Sequence, residues 1–351
     1  MKKVLYITNK EVPYRVAFFN QLAMYSNLTV AFESIENDTR DKKWAHSIRK
    51  EFYEVFLDGS DAGKKKNVYW NILKLLKQKW DVIIVGCFNS KVQLMAMLYM
   101  RFAGTPFWIN LDGELFINQS LKGMMKKFFL HGAKGYLIAG EKAGENLKSF
   151  VGVDKKINPY WFSSLTNKEL SCNAQIEHKR PPRTVLIVGR YYKYKGMDVA
   201  FMAASRDHSI NYKFVGMGKQ SEQFCKNMGE LPENIEIIPF LQKKELEEEY
   251  KNCSLMVLPS RQECWGLVIN EAASFGTPIV STWGSGAAVE FLSDAYPQYL
   301  AIPGDAESLY NCIKMCLQND NTHYSKFLKQ KSAQYSIENS VKAHMKLINS
   351  I

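Results

Sequence analysis

The feature that most constrains this chain is a rhythm. Short, uninterrupted apolar runs bounded by turn residues alternate with longer stretches whose apolar residues recur every three or four positions. "KKVLYIT", "NLTVAFES", "DVIIVGCF", "TPFWINL" and "GYLIAG" read as strands, and "YRVAFFNQLAMYS", "VYWNILKLLKQK", "KVQLMAMLYMRFAG" and "SLKGMMKKFFLHG" as the helices among them. A strand that is apolar on both faces must be covered on both faces. Parallel sheets with crossover helices on either side meet that requirement. The fold class is therefore α/β.

The rhythm fails over 155–182, where "KKINPYWFSSLTNKELSCNAQIEHKRPP" is polar, proline-punctuated and without a period. It resumes with "RTVLIVG", "MDVAFMAASR", "NYKFVGMG" and "SEQFCKNMG", then with the runs "NIEIIPF", "CSLMVLPS", "TPIVST" and "YLAIP". At 351 residues the chain exceeds one average domain. The expectation is two doubly wound, Rossmann-like domains over 1–164 and 183–330 and a linker over 165–182, with a C-terminal helix over 331–351 packing back on the first domain. Such sheets take ligands outside the carboxyl ends of their strands, so the site is expected in a cleft across which the two domains face each other.

Composition removes several classes. Apolar residues make up 46% and charged residues 23%, an ordinary globular balance. The apolar run near the N-terminus, Val4 to Ile7, is too short for a signal peptide, and the longest uncharged stretch, Ala272 to Val289, is broken by Gly276, Pro278, Gly284 and Gly286. Seven cysteines without a C-x-x-C pair fit free thiols, and a cytoplasmic protein is expected. The net charge of +11 is uneven: residues 1–165 carry 25 Lys+Arg against 15 Asp+Glu, and residues 166–351 carry 21 against 20. The first half is built to meet something anionic, either nucleic acid or a membrane surface. No helix-turn-helix, zinc or RNP signature supports nucleic acid.

Three strand-end loops carry the chemistry. In "VGRYYKYKG", Arg190 and Lys195 follow the strand "RTVLI", where two cations would neutralise a diphosphate; a tyrosine-rich basic surface loop is the plainer alternative. In "SRQECWGLVINEAASFG", Glu263 and Glu271 flank the start of a helix whose N-terminus favours a phosphate, and Gly266 permits close backbone approach. Carboxylates there suit the vicinal hydroxyls of a sugar and a ribose. The alternative is that Asn270, Glu271 and Ser274 form a solvated stripe. "STWGSGAAVEFL" is the third loop, and by itself a turn.

Taken together, G-R-x4-K-G, then E-x7-E, then a glycine loop after "TPIV" resembles the family-4 retaining glycosyltransferases of GT-B fold. The resemblance is strong over 184–305. Over 1–165 it is one of architecture, plus "PYRVAFF" (Pro13 to Phe19), which is similar to the opening of bacterial members that build surface polysaccharides such as capsule, O-antigen or lipopolysaccharide. It implies a hexosyltransferase acting on a nucleotide sugar, UDP- or GDP-linked. Arg190 and Lys195 would hold the diphosphate, Glu271 the ribose and Glu263 the donor sugar, with backbone amides near Gly266 and Leu267 assisting. Tyr14, Arg15 and Glu114 are the expected acceptor-side residues. Where many members carry a histidine, this chain reads "NLDGELF"; Asp112 is the candidate sugar-orienting or acceptor-side carboxylate, with a cap or turn role as the alternative.

No D-x-D pair or His/Cys cluster offers a metal site, so no metal and no cofactor are expected, and the two cations with the helix dipole would stabilise the leaving diphosphate. A nicotinamide enzyme would need G-x-G-x-x-G, and the nearest match, "GMGKQS", has Ser221 at the third glycine. A non-catalytic nucleotide-sugar-binding scaffold is the competing function. The resemblance also implies a saccharide or lipid-linked oligosaccharide acceptor. That suits the basic first half and a peripheral place at the inner face of the cell membrane. In "SLKGMMKKFFLHGAKG", Leu121, Met124, Met125 and Phe128 form a helical stripe flanked by Lys122, Lys126 and Lys127, and "GKKKN" (Gly63 to Asn67) adds a second basic cluster. The stripe is either core-facing or a membrane-surface face.

Overall fold

The structure, a computed structural model, describes residues 1–34, 49–58, 67–86, 90–113, 121–152, 154–176 and 183–351, the side chains of Leu121 and Lys122 excepted. It divides into two compact units, Met1–Phe162 with Ile337–Ile351, and Ser163–Ser336.

The first unit runs β1 (Lys3–Lys10), α1 (Pro13–Ala23), β2 (Asn27–Ser34), β3 (Tyr53–Phe56), α2 (Val68–Leu76), β4 (Val82–Gly86), α3 (Lys91–Phe102), β5 (Trp108–Leu111), α4 (Leu121–His131), β6 (Gly135–Ala139), α5 (Glu141–Val151) and β7 (Lys156–Tyr160). The described strands pair in parallel in the order β3-β2-β1-β4-β5-β6-β7. Every residue of β4 and β6 is buried, as continuous apolar runs require of a sheet covered on both faces. Strand β7 lies inside the stretch without a sequence period. It is an edge strand, and an edge tolerates its Pro159 and its half-exposed residues.

The second unit runs α6 (Asn167–Ala174), β8 (Thr184–Val188), α7 (Met197–Ala204), β9 (Asn211–Val215), α8 (Ser221–Met228), β10 (Ile235–Ile238), α9 (Lys243–Lys251), β11 (Leu255–Val257), α10 (Leu267–Ser274), β12 (Ile279–Thr282), α11 (Gly286–Leu292), β13 (Leu300–Ala301), α12 (Ala306–Gln318) and α13 (Thr322–Ser332). Its strands are parallel in the order β10-β9-β8-β11-β12-β13. The segment 165–182, expected as a linker, instead contains α6, closed at its start by a reciprocal Thr166–Glu169 capping box. Lys329 donates to the Ala174 and Ile176 carbonyls at its far end (3.0 and 2.7 Å), and Asn173 donates to Ser274 (2.8 Å). With eight residues and only Leu170 and Asn173 buried, this helix leaves no apolar period to read. Residues 177–182 lie outside the described residues.

The last helix, α14 (Ile337–Asn349), belongs to the first unit, while 331–336 stay with the second. Its buried positions, Ile337, Ser340, Val341, His344, Leu347 and Ile348, form one stripe against α1 and β7. Each sheet reverses its strand order once, between β1 and β4 and between β8 and β11. The space outside the carboxyl ends of such strands is where open α/β sheets take their ligands.

Candidate active site

In the second unit the two strands at the switch point carry the expected donor residues. The loop after β8 makes a single 3₁₀ turn, Lys193–Lys195, and the loop after β11 leads into α10. Lys195 and Glu263 are ion-paired across these loops, with Ser260 Oγ 3.5 Å from the same carboxylate oxygen. The loops are tied through the backbone: Arg261 and Gln262 N–H both donate to the Tyr194 carbonyl (2.8 and 3.2 Å). The Arg261 guanidinium forks onto Asp198 (2.7 and 2.8 Å) and reaches the Lys193 carbonyl (2.8 Å). The glycine loop after β12 joins them, because Glu263 N–H donates to the Gly284 carbonyl (2.8 Å) and Gly286 N–H to the Glu263 carbonyl (3.0 Å). Two glycines make this approach possible. Gly196 has φ 69° and a Cβ there would collide with the Pro259 carbonyl; Gly266 has φ 107° and a Cβ would lie 2.8 Å from a Leu258 methyl.

Arg190 takes a different place from Lys195. Its guanidinium lies 4.9 Å from the Tyr192 ring centroid, and Tyr192 stacks on Tyr194 (5.6 Å, 5° between planes). Leu267 opens α10, and Gly266 is its N-cap. The solvated stripe is not what the structure shows: Asn270 and Ser274 are buried, Asn270 accepting from the Trp265 indole (2.9 Å). Glu271 accepts from Ser164 Oγ (2.7 Å) and Tyr250 Oη (3.1 Å). Burial pushes its carboxyl pKa up, and the pull of those two hydrogen bonds only partly opposes this. Neither Ser164, in a stretch without a period, nor Tyr250, in a charged helix, carries a sequence signal.

In the first unit, Arg15 on α1 and Asp112 just beyond β5 form an ion pair. Burial would pull the Arg15 pKa down, and the carboxylate overrides it, holding it well above its ordinary value. Asp112 also accepts from Tyr160 Oη (3.1 Å) and from the Asn110 amide (3.2 Å), which in turn meets His344 Nε2 (2.7 Å). Asp112 is thus held by four elements rather than by a local cap. Tyr14 packs edge-on against Phe162 (5.8 Å). Glu114 lies outside the described residues, as do residues 63–66 of the "GKKKN" cluster.

Helix α4 does not turn its apolar stripe to the core. Met124, Met125 and Phe128 are 63%, 59% and 47% exposed, and Phe102 at the end of α3 is 83% exposed. Arg101 stacks on Phe128 (4.3 Å) and donates to its carbonyl (3.0 Å), while Lys127 lies 5.4 Å from the Phe150 ring centre. Among the described residues no helix is long and apolar enough to cross a membrane.

Residues 172–341 match the model of the family described as Glycosyl transferases group 1. An uncharacterized glycosyltransferase of Haemophilus influenzae is 26% identical over 174 residues, 47% of each chain, so this chain spans about half the length of that relative. The N,N'-diacetylbacillosaminyl-diphospho-undecaprenol alpha-1,3-N-acetylgalactosaminyltransferase of Campylobacter jejuni is 26% identical over 314 residues, 82% of this chain and 81% of that one. Among solved structures, Anabaena Alr3699/HepE in complex with UDP and glucose aligns with a TM-score of 0.70 at 15% identity, covering all of both chains. At that identity the likeness carries the fold: two Rossmann-like, parallel-sheet domains of GT-B type.

Proposed function

We propose that this chain is a retaining glycosyltransferase that moves a sugar from a nucleotide-sugar donor to a lipid-linked saccharide at an anionic membrane surface. The observation that carries the reading is the convergence of Lys195, Glu263 and Gly266 on the loops of the two strands at the second sheet's switch point, beside the N-terminus of α10. The Lys195 ammonium has three donors, so it can keep Glu263 and still meet a diphosphate oxygen. Glu263 accepts hydroxyls of the transferred sugar. Glu271 accepts the ribose hydroxyls, its rotamer held from behind by Ser164 and Tyr250.

As the glycosidic bond breaks, negative charge grows on the leaving diphosphate. Lys195, Arg190 and the helix N-terminus stabilise it, so the reaction proceeds without a metal. Positive character at the anomeric carbon is met by Glu263. The acceptor hydroxyl attacks from the face the diphosphate leaves, and a diphosphate oxygen takes its proton; no protein nucleophile is assigned. Asp112 orients the acceptor in the first unit.

The exposed apolar face of α4 beside Arg101 and Lys127 supports the lipid-linked acceptor. Apolar side chains entering the headgroup layer with cations around them are the pattern of a surface-seated protein. The Campylobacter relative is itself named for an acceptor carried on diphospho-undecaprenol.

A thermal-shift panel of UDP- and GDP-sugars tests donor binding, because a ligand of the folded state raises Tm by mass action. Nucleotide release that depends on added lipid-linked saccharide separates transfer from a scaffold that only holds the donor. A panel with no shift at millimolar concentration removes the reading.

A further inference from the structure

The polar chain of the first unit ends on a residue that no motif contains. His344 is buried on α14, between the rings of Phe18 (4.7 Å) and Tyr160 (4.9 Å), and it meets Asn110 of β5 across 234 positions of sequence. The titratable groups around it are Arg15 from α1, Tyr160 from β7 and, through Asn110, Asp112.

The donors and acceptors admit few arrangements. The Asn110 amide nitrogen donates to Tyr160 Oη (3.0 Å) and Asp112 Oδ1 (3.2 Å), and Tyr160 Oη donates to the same Asp112 oxygen (3.1 Å). An amide turned that way presents its oxygen to His344 Nε2, and an amide oxygen only accepts, so Nε2 carries the hydrogen. Burial pulls the imidazole pKa down to about 4, with the Ser340 carbonyl working upward and Arg15 downward, so at neutral pH the ring is neutral and has one N–H. Two acceptors face it, the Asn110 oxygen at Nε2 and the Ser340 carbonyl at Nδ1 (2.7 Å). A proton on Nδ1 would force the amide over and set its oxygen against the Asp112 carboxylate, removing one donor from a partly buried charge. A proton on Nε2 turns the Nδ1 lone pair toward the Ser340 carbonyl, so the ring has to ease back from the 2.7 Å contact, and the carbonyl keeps the helical N–H of His344, its partner four residues on in α14.

We propose that His344 is a positioning residue: its Nε2–H holds the Asn110 amide, and the amide with Tyr160 and Arg15 holds the Asp112 carboxylate in one orientation toward an acceptor hydroxyl. This rests on the reading of Asp112 as an acceptor-side carboxylate. The C-terminal helix is then part of the site and not only a support for it.

The test is ¹⁵N NMR of the histidine-labelled full chain at neutral pH. The Nε2–H tautomer is expected at His344, and Nδ1–H overturns the proposal. The double variant Arg15→Met/Asp112→Ala, which leaves no guanidinium buried alone, releases the amide and should move the ring toward Nδ1–H; an unchanged tautomer overturns the coupling. Release of UDP from UDP-glucose that depends on added lipid-linked saccharide gives the functional arm. His344→Gln, whose amide can donate in place of Nε2, should stay close to wild type. His344→Leu should fall roughly tenfold, the cost of a misplaced group. Equal rates in the two variants overturn the positioning role, and should His344→Leu not fold, the tautomer measurements decide. Wild-type UDP release in the double variant with a shifted tautomer removes the role of Asp112 and leaves its coupling to His344 standing.

Discussion

The ammonium of Lys195 and the carboxylate of Glu263 are paired across 68 positions of sequence, with side chains only 16% and 18% exposed. One residue is expected on the diphosphate and the other on the sugar, so their pairing makes the two halves of the donor one electrostatic unit. Lys195→Ala should lower turnover roughly ten- to a thousandfold, the range for a lost charge-stabilising donor. Glu263→Gln should lower it too, and the double variant should lose less than the product of the two. Multiplicative losses in a double-mutant cycle would show that the residues act independently.

The Arg261 guanidinium, forked onto Asp198 at the start of α7 and bonded to the Lys193 carbonyl, braces the loop after β11 against the loop after β8. Burial would raise the Asp198 pKa, but the Arg261 hydrogen bonds prevail and hold it below its ordinary value. A depressed carboxylate stabilises the fold above its ordinary pKa, and that contribution goes as pH falls through the depressed value. Arg261→Lys keeps the charge and loses the fork, so turnover should drop roughly ten- to a hundredfold, and Tm should fall at pH 7, where the contribution is fully present, more than it does below the carboxylate range. The acid limb of Tm against pH should flatten. Full turnover in a folded Arg261→Lys protein would remove the brace from the mechanism.

Glu271 has its pKa raised, so the sign is reversed. Its ionised form is disfavoured on folding, and the penalty grows as pH rises from the ordinary carboxylate value through the raised one. Glu271→Gln should therefore raise Tm at pH 7 relative to wild type, with no gain well below the ordinary carboxylate range. The same variant should lose most of the Tm shift that a nucleotide sugar produces. Lower stability at pH 7 with an intact donor shift would contradict the ribose assignment.

Activity should survive excess EDTA, since Lys195, Arg190 and the α10 N-terminus are proposed to stabilise the diphosphate. Loss in chelator with recovery on Mn²⁺ or Mg²⁺ would give that charge to a metal instead.

Vesicle co-sedimentation addresses the α4 face. Binding should rise with phosphatidylglycerol, fall with salt and weaken in Lys126→Glu/Lys127→Glu, each basic residue contributing on the order of 1 kcal/mol near an anionic bilayer. Met124→Ser/Met125→Ser should weaken it at high salt as well, because that part of the attachment is apolar. Equal binding to phosphatidylcholine vesicles would assign the positive charge elsewhere.

The strands and helices that place these residues are legible in sequence wherever burial is periodic: β1, β4, β8 and β11 announce themselves as apolar runs. Lys195 and Glu263 are legible as members of short motifs at strand ends. Their pairing is not, because it depends on Gly196 letting the loop after β8 close on Pro259 in the loop after β11. Ser164, Tyr250, Asn110, Tyr160 and His344 are beyond sequence reasoning for a related reason. Each acts on a partner in another element, and an isolated tyrosine or histidine on a helix looks the same whether it fills a core or holds a carboxylate. The direction of the α4 stripe is ambiguous for the same reason, since the apolar spacing is identical for a face turned inward and one turned out.

The return of α14 to the first unit has a consequence for how the molecule comes into being. During synthesis the strands β1 to β7 emerge first, yet the helix that covers α1 and β7 emerges only after the whole second unit. The buried face of α1 and the Asn110 amide thus wait, for the length of one complete domain, for the residues that close them. A nascent chain stopped at residue 336 would hold the Lys195 and Glu263 loops entire and the Asp112 carboxylate unlatched, so the order of the sequence keeps Asp112 from being set until the proposed donor site has been made.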